Sequence, residues 1–125
     1  MNIDDLTLGQ VKQLQTLFGD QTTKVDTGLN YHIGKKVIIR TYSAGVWFGE
    51  LVEKSGTEVI LQDARRLYYW KCLKGVSLSE IAKYGIHEDS KICTRIDKQW
   101  LNAIEIISMT DVAIKSIENQ NDYVN

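Results

Sequence analysis

From Lys36 onward the apolar residues recur at every second position, a period that strands satisfy and helices do not. Three such runs follow one another: Val37 to Tyr42, Val46 to Glu53 and Thr57 to Leu61, with Ala44-Gly45 and Ser55-Gly56 as the turns between them. Such spacing predicts an antiparallel meander. A fourth strand is predicted from Arg65 to Lys71, which is rich in aromatics and alternates, and two more near Ser90 to Ile96 and Trp100 to Ile107.

Outside these runs the period lengthens. Leu8, Val11, Leu14, Leu17 and Phe18 fall on one helical stripe, with Thr7 and Gln10 at capping-box spacing and Gly19 as a stop. Ser77-Leu78-Ser79-Glu80 is a second capping box opening a short helix closed by Gly85, and Val112, Ala113, Ile114 and Ile117 define a closing helix. The chain has no proline, so caps and glycines must set the helix ends. The expected fold is α+β and mostly β: an antiparallel six-strand sheet or SH3-like partial barrel with an N-terminal, an inserted and a C-terminal helix. As one domain over 1–125 it divides into a helix at 1–19, a polar linker at 20–35, a β core at 36–107 with its helix at 77–84, and a helix at 110–119. Residues 120–125 are expected to fray.

A chain of 125 residues is about one domain long. Fifteen Lys and Arg balance sixteen Asp and Glu, so no global field draws it to nucleic acid, and no DNA or RNA partner is expected. No apolar run approaches a membrane span, and the start of the chain lacks the basic then apolar stretch of a signal peptide, which together predict a soluble cytoplasmic protein. Cys72, Cys93, His32 and His87 follow no metal-ligand spacing, and no nucleophile-base or Walker pattern occurs. Neither enzyme chemistry nor a metal or cofactor is expected.

The unusual stretch is Asp63-Ala64-Arg65-Arg66-Leu67-Tyr68-Tyr69-Trp70-Lys71. On a strand Arg65, Leu67, Tyr69 and Lys71 point one way and Arg66, Tyr68 and Trp70 the other. One face then offers a guanidinium beside two aromatic rings. An Arg fork holds phosphate and a ring stacks on a base, so the expected ligand is nucleotide-like, bound by Arg65, Arg66, Tyr68 and Trp70 with Thr94 and Arg95 as further phosphate groups. The structural alternative is that Tyr68 and Trp70 are core and both arginines lie along the surface or pair with acids.

The order of the segments carries a resemblance over nearly the whole chain: Asp-Leu-Thr-Leu-Gly-Gln-Val-Lys, then Ile-Gly-Lys-Lys-Val-Ile-Ile-Arg-Thr, Gly-Glu-Leu-Val, Val-Ile-Leu-Gln-Asp-Ala-Arg-Arg-Leu-Tyr-Tyr-Trp, and Ala103-Ile104-Glu105-Ile106-Ile107 before Thr110. It resembles a family of small phage-encoded proteins of no assigned domain type, and is similar to the first class of phage anti-Thoeris sponges. That resemblance implies a counter-defence protein of the infected bacterial cytoplasm. It implies binding of the cyclic ADP-ribose signal of TIR enzymes without cleavage, and assembly through dimers into hexamers. The chain departs from the pattern at Tyr68 and at Asp89-Ser90-Lys91-Ile92-Cys93, which lacks an aromatic and a proline.

A second reading, from the meander and an expected exposed apolar stock of Trp47, Phe48 and Trp100, is an SH3-like interaction module that inhibits a host protein by direct contact. In either case the stripe of the first helix needs a surface to bury against, which predicts at least a homodimer with Leu14 and Leu17 between subunits or against the core. Extended, residues 20–31 span roughly 35 Å, enough to reach a neighbouring chain.

Overall fold

Val37, Ile38 and Ile39 are successive residues of one strand and all three have no exposed surface, so that strand is covered on both sides. The computed structural model describes residues 28–124. The predicted N-terminal helix, Leu14 and Leu17 with their intersubunit role, and the first part of the linker lie outside the described residues. The chain separates into two compact units, Met1–Tyr31 and His32–Asn125. Of the first, residues 28–31 form a turn closed by the Tyr31 N–H donating to the Gly28 carbonyl at 3.0 Å.

The second unit is mostly β within an α+β fold: β1 (Lys36–Thr41), β2 (Val46–Ser55), β3 (Glu58–Tyr69), α1 (Leu78–Tyr84), β4 (Lys91–Ile92), β5 (Ile96–Ser108) and α2 (Asp111–Glu118). The sheet order is β2-β1-β5-β3-β4, and β2 also pairs with β3. Four antiparallel strands, β1, β2, β3 and β5, therefore close into a ring, which removes most of the open edges a flat sheet would expose.

Six strands were expected and five form among the described residues. The runs at 57–61 and 65–71 merge into β3, because the polar interruption at Gln62-Asp63 is a bulge and not a loop. Asp63 takes φ 52°, a left-handed conformation that Asp tolerates better than most residues. Gln62 pairs with Glu50 and Arg65 with Phe48, so Asp63 and Ala64 together face Gly49. There is no room for a larger residue: a Cβ on Gly49 would lie 3.1 Å from the Gln62 carbonyl oxygen and 3.2 Å from the Ala64 Cα.

The ring has two apolar layers. Its interior holds Val37, Ile39, Trp47, Leu51, Val59, Leu61, Ala64, Leu101 and Ala103. The second layer lies outside the ring, where Ile38, Phe48 and Leu67 meet Ile92, Leu78, Ile81, Ala82, Ile86 and Ile117. Trp47 and Phe48, expected to be exposed, are thus both buried, one in each layer, whereas Trp100 is half exposed. Burying the two layers is the main source of stability, at about 25 cal/mol per Å² of apolar surface removed from water.

The two helices lock together at their ends. Thr110 caps α2 by accepting from the Ala113 N–H at 3.2 Å, while its own hydroxyl donates to the Lys83 carbonyl at 2.8 Å. Gly85 ends α1 at φ 103°, and a Cβ there would lie 2.6 Å from Ser116 Oγ of α2. The expected start of α1 also forms, with the Glu80 carboxylate accepting from the N–H groups of Val76 and Ser77 at 2.8 and 3.0 Å. Residues 120–124, expected to fray, are tied down: the Tyr123 N–H donates to Ile92 at 2.8 Å and the Gln120 amide donates to Glu88 and Ser90 at 3.0 Å each.

Candidate functional site

Arg65 and Arg66 are neighbours on β3 with opposite fates. Past the Asp63 bulge Arg65 points into the outer apolar layer with Leu67, and none of its surface remains exposed. A buried guanidinium must have its N–H groups satisfied, and here the backbone does most of it. Nε donates to Cys93 at 2.9 Å, Nη1 to Ile117 at 2.7 Å and to Gln120 at 2.9 Å, and Nη2 to the Asp122 carboxylate at 2.7 Å. Burial, and then the nearby Arg95 charge, lower its pKa, and the Asp122 carboxylate offsets only part of that shift. Arg66 instead is exposed and lies over the Trp47 ring, its Cζ 4.7 Å from the centroid.

Tyr68 is two-thirds exposed and stacks on Tyr123 of the tail, with centroids 6.1 Å apart and planes at 12°. The Lys91 ammonium lies 5.2 Å from the Tyr123 ring and 5.7 Å from the ring of Tyr69, its register partner across β3 and β4. Trp70 is half-buried and packs against the outer apolar layer. Thr94 and Arg95 are exposed in the link from β4 to β5, where Arg95 donates to the Glu118 carbonyl at the end of α2, 2.8 Å away.

Of the six residues singled out in the sequence, then, Tyr68 stands on an open surface stacked on Tyr123, Arg65 bonds the C-terminal segment that carries Tyr123, and Arg95 bonds the end of α2. Arg66 and Trp70 are engaged elsewhere, with Trp47 and with the layer under the helices. None of the residues that complete the cluster, Tyr69, Lys91 and Tyr123, is among the six, and alternation places Tyr69 on the face of the strand opposite Tyr68. Lys91 is a lone cation near the start of a predicted strand, and Tyr123 is one aromatic in a polar tail. Only the pairing of β4 with β3 and the anchoring of the tail to β4 bring them to Tyr68.

Chemically the cluster offers three ring faces and a cation, which suits a planar, anionic ligand held without covalent chemistry. Among the described residues no group of three His, Cys, Asp or Glu side chains could hold a metal ion. No described helix is long and apolar enough to cross a membrane. His87 and Asp89 meet at 3.6 Å in the loop before β4, and Lys71 reaches Asp89 at 4.0 Å. The Cys72 thiol donates to the Ser77 carbonyl at 3.2 Å, and burial followed by the Glu80 charge pushes its pKa up, away from a reactive thiolate.

No curated protein and no solved structure matches the chain. The family model that does match, the domain of unknown function DUF6948, spans residues 34–117, which takes in the whole ring, α1 and all but the last residue of α2, and the chain belongs to that family.

Proposed function

We propose that this protein is a non-enzymatic phage counter-defence protein. It binds a cyclic ADP-ribose-type signal made by TIR enzymes in the host cytoplasm and holds it intact. The observation that carries the reading is the exposed Tyr68 ring, which already takes an aromatic partner face to face in Tyr123, with the Lys91 ammonium beside that stack. An adenine ring stacks on such a face, and a pyrophosphate is attracted to the ammonium, with the exposed Arg95 as a second cation. The resemblance to phage sponges points to the same ligand class and to assembly as a homodimer or hexamer.

Calorimetry with the cyclic ADP-ribose isomers tests the proposal. Saturable heat for at least one isomer, and recovery of that isomer chemically unchanged after heat denaturation, is the expected result. No heat with any isomer overturns it, and a hydrolysed product would make the protein an enzyme. Stable capture of a host protein without ligand binding would instead support the interaction-module reading, to which half-exposed Trp100 and Ile104 on β5 could contribute apolar contacts.

A further inference from the structure

The C-terminal segment does more than finish the fold. Asp122 and Tyr123 are adjacent residues, and each meets a residue of β3 chosen above for ligand binding. The carboxylate of Asp122 takes the Nη2 of Arg65 at 2.7 Å, and the ring of Tyr123 stacks on Tyr68. An anion beside a planar ring is also what a nucleotide presents. Asp122 forms a parallel bridge with Ile92, and the Tyr123 N–H donates to Ile92, so the tail lies along the outer edge of β4 as a short added strand. Residues 121–124 are all exposed, and they are held by that edge contact, by the Arg65 pair and by the Tyr68 and Lys91 contacts of the Tyr123 ring. Arg65 is the one fully buried charged side chain among the described residues, and the tail supplies its only carboxylate partner there.

We infer that the Asp122-Tyr123 tail is a built-in stand-in for the ligand: it occupies the Arg65–Tyr68–Lys91 site in the free protein and is displaced when a ligand carrying a planar ring next to an anionic group binds. The inference rests on the ligand reading above and adds to it the shape of the ligand and the competition it faces. Displacement frees the Tyr68 face now covered by Tyr123, and it opens Arg65 Nη2 to a phosphate oxygen in place of the carboxylate. Arg65 Nε and Nη1 can keep their bonds to Cys93 and Ile117, so the strand beneath stays fixed while the tail exchanges. Because the tail must be lifted first, the apparent affinity is the intrinsic affinity multiplied by the fraction of molecules whose tail is open.

The test compares the full chain with Tyr123→Ser, which keeps the Asp122–Arg65 pair, and with Asp122→Asn, titrating adenosine diphosphate and the cyclic ADP-ribose isomers by calorimetry. Tyr123→Ser is expected to bind about five- to tenfold tighter than the wild type, the worth of one aromatic stack no longer competing. Asp122→Asn should move the same way, and Tyr68→Ala should abolish binding in every background. On adding ligand to the wild type, the Tyr123 amide, now bonded to Ile92, should lose protection from hydrogen exchange. If the wild type binds but Tyr123→Ser binds equally or more weakly, and Tyr123 stays protected, the tail is part of the site or a bystander and this inference fails while the proposed function stands. If neither wild type nor variants bind any probe, both fail. Binding seen only in the variants supports the stand-in role most directly.

Discussion

Arg65 and Asp122 are 57 residues apart in the chain and meet through a 2.7 Å contact, with the arginine side chain fully buried and the carboxylate nearly half exposed. The asymmetry sets what each contributes. Arg65 is an interior donor to four acceptors, of which Asp122 is the only charged one. Replacing it removes the guanidinium donor from the Cys93 and Gln120 carbonyls and leaves the Ile117 carbonyl with the Gln120 N–H, at 3.3 Å. Arg65→Leu should therefore cost about 3–5 kcal/mol, whereas Asp122→Asn, at the wet end of the pair, should cost only about 1 kcal/mol. Urea unfolding with a common m-value measures both, and equal losses would show that the arginine's worth lies in the ion pair and not in its carbonyl bonds.

The next residue should behave differently. Arg66 touches Trp47 from the exposed side, so Arg66→Ala should cost about 0.5–1 kcal/mol and shift Trp47 emission without changing the fold. A loss as large as that of Arg65→Leu would mean that Arg66 carries contacts beyond the ring.

The bulge predicts a third outcome. Gly49→Ala should destabilise by about 1–3 kcal/mol, because its Cβ meets backbone atoms at 3.1 and 3.2 Å that cannot rotate away. Asp63→Gly should be tolerated, since glycine adopts φ 52° at no steric cost. Thermal melts of both variants check the pair; the idea fails if Gly49→Ala melts with the wild type.

Glu80 gives the pH dependence its sign. Its pKa is lowered, first by the Val76 and Ser77 N–H groups and then by the Ser77 hydroxyl, so the ionised form is favoured in the folded state. A carboxyl with a depressed folded pKa contributes stability that is fully present above its unfolded value, about 4.3, and is lost as the pH falls through the folded one. The melting difference between wild type and Glu80→Gln should be constant from pH 7 to about pH 5 and shrink below it. A difference that grows on acidification would overturn this assignment.

What the sequence determined by itself is the local chemistry. The period of two in Val37 to Tyr42 and Val46 to Glu53, the capping box Ser77 to Glu80, the stop at Gly85 and the closing helix each depend on a few consecutive residues, and each stands close to where it was expected. Alternation on β3 likewise put Arg65 and Arg66 on opposite faces. What it could not decide was which face is wet. In a ring with helices laid on its outside both faces of β1 and β2 are buried, so Trp47 and Phe48 vanish from the surface although alternation allows only one of them inside. The polar pair Gln62-Asp63 reads as a break until Gly49 across the strands makes room for a bulge. Arg65 reads as an open cation until α2 and the tail close over it, and Tyr123 reads as frayed until Ile92 pairs with that tail. Those outcomes depend on partners dozens of residues away, and a contact of that separation exists only once the ring has closed and brought the two segments together.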